Sequence, residues 1–144
     1  MSIALLTDFY QLTMAFGYFQ SGMLEKEASF YHSFRRNPFE GGFTIAAGLE
    51  QLIEFIEHFR FQEEDLSYLA SLTDGEERQI FSPSFLKFLK EFRFRIDLDA
   101  IAEGTVVFPG EPLIRTRGAL IDCHFEKLAE SFFKEAENRL NLSL

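Results

Sequence analysis

Apolar side chains recur every three or four positions near the start of the chain, which is the spacing of one face of a helix. Asp8 precedes this pattern and Ser21-Gly22 follows it, so a first helix is predicted over residues 8–21. Asp8 and Gln11 are three residues apart and are expected to form a capping box. The apolar positions of this helix are Phe9, Leu12, Phe16 and Phe19.

Along residues 27–35, mainly apolar side chains alternate with mainly polar ones, which is the period of a half-buried strand. Asn37-Pro38 and Gly41-Gly42 then predict a turn, and residues 43–47 are predicted to return as a second strand. We expect the two strands to form a hairpin. One side of the first strand carries Ala28, Phe30, His32 and Phe34.

Three more helices are predicted in the middle of the chain. An apolar stripe over residues 49–59 indicates one, and the acidic residues after Gln62 favour the positive end of a second. Ser82 is expected to cap a third helix, with Pro83 at its first position. Residues 73–77 are predicted to be a solvated loop.

Residues 96–121 carry short alternating stretches, with turns predicted at Glu103-Gly104 and Pro109-Gly110. This pattern predicts a small antiparallel sheet or sandwich. From Asp122 the spacing becomes helical again, with apolar positions inward and charged positions outward. The predicted fold class is therefore α+β, with helices packed on small antiparallel sheets and a β-sandwich-like segment.

Composition narrows the class of protein. A chain of 144 residues can form one domain with a core, and 19 Phe with no Trp would fill much of it. The net charge of −9 disfavours nucleic acid and anionic membranes as partners. One cysteine, no apolar run long enough to span a bilayer and no signal peptide lead us to expect a soluble, cytoplasmic protein.

Tyr10 and Asp8 form the first candidate site. A phenol ring near a helix start can stack on a planar heteroaromatic acid, which is worth about 0.5–1.5 kcal/mol beyond area burial. The residues alone leave a second interpretation open, and favour it: a core tyrosine under a capped helix.

Arg35 and Arg36 form the second candidate site, because a guanidinium group matches phosphate oxygens with two parallel bonds. Alternation along the strand is expected to place them on opposite faces, so at most one would meet a given ligand. A solvated strand end is the alternative for either residue. Gly41-Gly42 is expected to be a flexible turn, since no phosphate-binding glycine motif accompanies it.

The histidines and the cysteine carry no predicted chemistry. His32 is expected to be a packed or edge histidine and His58 to interact with the end of its helix. Cys123 and His124 are adjacent, so their side chains point apart, and a nucleophile pair is not expected. No Cys/His spacing typical of metal ligands is present.

Four segments of the chain resemble nicotinate phosphoribosyltransferases, in the order and at roughly the spacing of that family. The likeness covers residues 3 to about 121. The segments are residues 5–14 around Asp8-Phe9-Tyr10-Gln11, residues 34–43 with Asn37-Pro38-Phe39 and Gly41-Gly42, residues 47–50 (Ala-Gly-Leu-Glu) and residues 103–109 (Glu-Gly-Thr-Val-Val-Phe-Pro).

The resemblance implies an N-terminal domain of a type II phosphoribosyltransferase over residues 1–121 and a divergent C-terminal helix over residues 122–144. It implies formation of nicotinate mononucleotide from nicotinate and 5-phosphoribosyl-1-diphosphate, with ATP and Mg²⁺, for NAD synthesis. Tyr10 would lie on the pyridine ring across a dimer interface, with Asp8 in support, and Arg35 would bind phosphate. Residues 103–109 mark the family but are assigned no catalytic residue.

The same resemblance places the catalytic residues and the metal-bound substrate in an α/β barrel that follows this domain. Such a barrel takes about 250 residues, so we expect it to be absent from this chain, which would act with a homodimer partner or a barrel-containing partner. Two alternatives remain. One is a non-catalytic interaction domain, and the other is specificity for nicotinamide or quinolinate, although residues 37–42 favour nicotinate.

Overall fold

The structure is a computed structural model that describes residues 3–5, 7–37 and 41–127. It combines five α-helices with two small antiparallel sheets among those residues, so the predicted α+β class is confirmed. In chain order, the elements are a 3-10 helix (Ile3–Leu5), α1 (Phe9–Gln20), β1 (Glu27–His32), β2 (Thr44–Ile45), α2 (Leu49–His58), α3 (Glu63–Ser71), α4 (Pro83–Glu91), β3 (Ile96–Ala100), β4 (Val106–Val107), β5 (Ile114–Ala119) and α5 (Leu120–Glu126).

The starts of α3 and α4 follow from local sequence. Asp65 Oδ2 accepts the Gln62 N–H at 2.9 Å, and Ser82 Oγ accepts the Phe85 N–H at 3.3 Å. These bonds satisfy backbone donors that the first turn of a helix leaves unpaired. Both predicted helices are confirmed.

The capping box predicted for α1 is wrong. Asp8 precedes α1, but no side-chain hydrogen bond caps the helix. The Gln11 N–H instead donates to the main-chain oxygen of Asp8 at 2.9 Å, and Gln11 Oε1 is buried without a hydrogen-bond partner in the part of the chain described. Gln11 lies where α1 meets α5, with its main-chain oxygen 2.9 Å from His124 Nε2, and its buried side chain does not bond back to the Asp8 N–H as a capping box requires.

The predicted hairpin is also wrong. β1 pairs antiparallel with β5, β5 pairs with β3, and β2 pairs with β4 in a separate two-stranded sheet. β5 runs beside the full length of β1, with Phe30 opposite Thr116, whereas residues 43–47 supply a strand of only two residues. Turn residues predict that the chain reverses, but they do not select the strand that pairs.

Gly118 of β5 lies where the sheet permits no side chain. A Cβ atom at this position would lie 2.9 Å from the main-chain oxygen of Arg95, closer than such atoms normally approach. Gly118 faces Ala28 on one side and Ile96 on the other, so glycine lets three strands meet at this point.

The core is a cluster of aromatic rings between the helices. Phe81, Phe85 and Phe125 are fully buried, and Ile121 of α5 joins the same cluster. α5 packs against α1, β1 and β5, so it links the helices to the larger sheet.

The prediction that charged residues after Ile121 face outward is wrong for α5. Asp122 and Glu126 are 0% and 1% exposed. The predicted boundary after Ile121 falls inside this helix, and residues 128–144 of the predicted C-terminal helix lie outside the described residues. The proposed division of the chain therefore stays a prediction.

Candidate functional site

Tyr10 is exposed in the first turn of α1. Its side chain is 56% exposed, and its neighbours Phe9 and Met14 are 49% and 42% exposed. The opposite face of the helix, with Leu12 and Ala15, is buried. The structure thus rules out a buried core tyrosine and leaves the ring free to meet another molecule, as a stacking role requires.

Asp8 lies immediately before α1 and is exposed. Its side chain accepts no hydrogen bond from the start of the helix, so both carboxylate oxygens remain available there. Its predicted supporting role stays a prediction.

Arg35 and Arg36 are exposed in a bend after β1. Because β1 ends at His32, the strand alternation that was expected to place them on opposite faces does not reach them. The bend is held on both sides: Phe34 O accepts the Gly110 N–H at 2.9 Å, and Asn37 Oδ1 accepts a hydrogen bond from Thr44 Oγ1 at 3.2 Å. The guanidinium groups are therefore presented to solvent from an anchored loop.

The candidate residues do not meet within one chain. In the part of the chain described, no hydrogen bond, ion pair or ring contact joins Asp8, Tyr10 and Arg35 to one another. Two surface clefts of about 280 and 310 Å³ lie elsewhere, around Arg95, and neither is lined by a candidate residue. The predicted roles of these residues in a site therefore stay predictions.

Two segments that resemble the family contact each other, and sequence interpretation missed the residue that joins them. Glu103 Oε1 accepts N–H groups at the start of α2, from Gly48 at 2.9 Å, Leu49 at 2.7 Å and Glu50 at 3.4 Å. Gly104 follows with a positive φ of 82°, in the predicted turn. No local pattern could have revealed this cap, because Glu103 lies far from α2 in sequence.

Polar side chains of α5 connect it to two other parts of the fold, strand β1 and the residue just before β3. Asp122 Oδ1 accepts the Arg95 N–H at 2.8 Å, Cys123 Sγ donates to Ala28 O at 3.6 Å, and Glu126 Oε2 lies 2.7 Å from His32 Nε2. Burial raises the pKa of the Asp122 carboxyl and of the Cys123 thiol. A buried thiol with a raised pKa is a poor nucleophile.

Comparison with known proteins identifies the family. The family model for the nicotinate phosphoribosyltransferase (NAPRTase) N-terminal domain matches residues 5–128. The chain belongs to the nicotinate phosphoribosyltransferase family. The nicotinate phosphoribosyltransferase of Caenorhabditis elegans is 39% identical over 120 residues, which cover 83% of this chain and 21% of the relative. That of Bacillus subtilis is 38% identical over 128 residues, covering 89% and 25%.

A solved structure extends the likeness to the fold. The crystal structure of human nicotinic acid phosphoribosyltransferase superposes with a TM-score of 0.73 at 37% identity, covering 88% of this chain and 24% of that one. The chain thus has the fold of the N-terminal domain of nicotinate phosphoribosyltransferases. It spans only about a fifth to a quarter of the length of these relatives.

Metal binding and membrane insertion can be tested on the described residues. Within residues 3–5, 7–37 and 41–127, no three His, Cys, Asp or Glu side chains are grouped so that they could hold a metal ion. No group of the described residues is therefore assigned to the Mg²⁺ that the resemblance places with the substrate in the barrel. None of the helices described is both long and apolar enough to cross a bilayer.

His124 is expected to make stability depend on pH. Burial lowers the pKa of its imidazole below the ordinary value of 6.5, while Nε2 donates to Gln11 O at 2.9 Å. Because the folded state favours neutral His124, the unfolded state binds more protons below pH 6.5, and stability falls as pH drops through this range. The contribution of one group is at most about 1.4 kcal/mol per pH unit.

Urea unfolding at pH 7.5, 6.5 and 5.5 measures this effect. In His124→Gln, which keeps a side-chain donor, the free energy of unfolding should fall less between pH 6.5 and 5.5. His58→Gln is the control, since His58 is exposed. An equal loss in all three proteins would contradict the role of His124.

Proposed function

We propose that this chain supplies the N-terminal part of a nicotinate phosphoribosyltransferase. It places Tyr10 on the pyridine ring of nicotinate, which is held mainly by another chain or domain. The observation that carries this proposal is the 56% exposure of Tyr10 at the start of a helix in a chain of this family. An exposed ring beside Phe9 and Met14 offers a flat apolar surface to a heteroaromatic acid.

Arg35 supplies the charge. Nicotinate and phosphoribosyl diphosphate are both anions, and the chain has a net charge of −9, so a local cation must meet them. The anchored bend between Phe34 and Asn37 presents Arg35 to solvent, and no ion pair engages its guanidinium group in the described part of the chain. Arg35 can therefore bind phosphate oxygens of phosphoribosyl diphosphate or of the mononucleotide product.

The reaction is a transfer at the sugar. The pyridine nitrogen forms a bond to C1 of the ribose as the bond from C1 to the diphosphate breaks, and the diphosphate leaves with that electron pair. Mg²⁺ held with the substrate by the barrel would supply charge stabilisation for the leaving diphosphate. In this chain, Tyr10 orients the ring and Arg35 orients the phosphate, while Asp8 can support the tyrosine.

A reconstituted assay tests these roles. The chain is mixed with a separately expressed barrel domain from a full-length relative. Nicotinate, phosphoribosyl diphosphate, Mg²⁺ and ATP are added, and the rate of nicotinate mononucleotide formation is measured. Tyr10→Ala should lower kcat/KM for nicotinate about fivefold to tenfold, and Tyr10→Phe should keep most of it. Arg35→Ala should raise KM for phosphoribosyl diphosphate about tenfold or more.

Matched controls separate these effects from general damage. Tyr68 is a helical tyrosine that is 54% exposed on α3, and Arg36 is the exposed neighbour of Arg35. Tyr68→Ala and Arg36→Ala should leave both constants nearly unchanged. Unchanged activity in Tyr10→Ala and Arg35→Ala would sink the proposed roles. Replacing nicotinate by nicotinamide or quinolinate in the same assay tests whether the enzyme prefers one of those pyridines.

One observation favours a non-catalytic interaction domain as the second candidate. Ile45 and Val106 face each other across the β2–β4 sheet and are 47% and 49% exposed. Phe43 and Phe108 continue the same face at 55% and 49% exposure. A contiguous exposed apolar face of this kind is typical of an interaction surface. This candidate gains if the reconstituted mixture forms a complex but no product with any pyridine.

A further inference from the structure

The start of α2 depends on a distant carboxylate. Gly48 precedes α2 with a φ of 98° and has no side chain to satisfy the first N–H groups of the helix. Glu103 Oε1 accepts the N–H groups of Gly48 and Leu49 at 2.9 and 2.7 Å. A negative charge at this end of a helix is also favoured by the helix dipole.

Glu103 also lies next to the β2–β4 sheet. Next to Glu103 in sequence, the Gly104 N–H donates to Ala46 O at 2.8 Å, and the Ala46 N–H donates to Thr105 O at 2.9 Å. The sheet and the cap thus hold the segment between β2 and α2 from both of its ends. Loss of the cap leaves the sheet as its remaining attachment to residues 103–107.

The β2–β4 sheet in turn holds the bend that carries Arg35. Thr44 of β2 donates from Oγ1 to Asn37 Oδ1 at 3.2 Å. Gly110, just after β4, donates its N–H to Phe34 O at 2.9 Å. Arg35 therefore lies between two anchor points, and each belongs to one strand of the sheet or its continuation.

We infer that Glu103 is a positioning residue for Arg35: its cap on α2 fixes the β2–β4 sheet, and the sheet fixes the bend that presents the guanidinium group. Glu103 itself does not touch substrate. This structural link between Glu103 and the bend rests on the hydrogen bonds described above. Its consequence for phosphate binding rests on the proposed function.

Amide hydrogen exchange measured by NMR tests the structural link. In Glu103→Ala the N–H of Gly110, which bonds to Phe34 O, should exchange about fivefold faster, together with the N–H groups of Gly48 and Leu49. Glu103→Gln keeps an acceptor oxygen without the charge and should show a smaller increase.

Asp74→Ala is the matched control. Asp74 is half-buried, and its Oδ1 likewise accepts two backbone N–H groups, from Glu76 at 2.8 Å and Arg78 at 3.0 Å. Within the described residues, Asp74 makes no hydrogen bond to the β2–β4 sheet. Its loss should leave exchange at Gly110 unchanged. Faster exchange at Gly48 and Leu49 with no change at Gly110 in Glu103→Ala would overturn the inference.

The reconstituted assay separates failure of this inference from failure of the proposed function. Glu103→Ala should raise KM for phosphoribosyl diphosphate about threefold to fivefold with little change in kcat, and Glu103→Gln should recover most of the loss. If Arg35→Ala leaves KM unchanged while exchange at Gly110 responds to Glu103, the proposed role of Arg35 fails and the structural link stands.

Discussion

Replacing Phe85 by alanine is expected to lower the free energy of unfolding by about 3–5 kcal/mol, the usual cost of such a truncation in a core. Phe85 is 0% exposed, and its ring lies 5.0 Å from that of Phe16 and 5.7 Å from that of Phe81. The rings of Phe19 and Phe88 also border it, at 5.4 and 6.2 Å. Removing this ring leaves a cavity between α1 and α4 that the two helices do not fill.

Urea unfolding followed by circular dichroism measures this change. Phe85→Leu should cost less and provides a reading if the alanine variant does not fold. Phe43→Ala is the control, because Phe43 is 55% exposed and its loss should change stability by no more than about 0.5 kcal/mol. Similar losses in Phe85→Ala and Phe43→Ala would mean that the aromatic cluster does not dominate stability.

Replacing Glu126 by alanine is expected to cost about 3 kcal/mol, because it breaks a buried pair and removes a buried side chain from the packing between α5 and β1. The side chains of His32 and Glu126 are only 12% and 2% exposed, and Glu126 Oε2 lies 2.7 Å from His32 Nε2. This bond ties α5 to β1. The next residue, Lys127, places its Nζ 4.7 Å from the centre of the Phe30 ring on the same strand.

Glu63→Ala is the matched control for this pair. Glu63 Oε1 lies 2.5 Å from Lys90 Nζ, but the two side chains are 71% and 58% exposed. Exposed ion pairs contribute only about 0–1 kcal/mol, so this variant should be nearly as stable as the parent chain. The same unfolding measurement compares the two variants. Equal, small losses would show that burial does not strengthen the bond between His32 and Glu126.

The candidate site was predictable to different degrees at its different residues. The position of Tyr10 in a first helix follows from local periodicity, but its exposure depends on which face of α1 the aromatic cluster covers. The sequence pattern predicts that Arg35 belongs to the first strand, but that strand ends at His32, because its partner β5 begins opposite His32. No local sequence pattern marks Glu103, because the residues that it caps lie much earlier in the chain, at the start of α2.

By itself, the sequence determined the three middle helices, the aromatic filling of the core and the segments that mark the family, because these follow from local spacing and from the side chains themselves. Only the tertiary structure decided that β1 pairs with β5, that Asp122 and Glu126 are buried, and that Glu103 caps α2. Periodicity specifies which face of an element is apolar, but it does not specify the partner. The partner is chosen by packing and hydrogen bonding between residues that are distant along the chain.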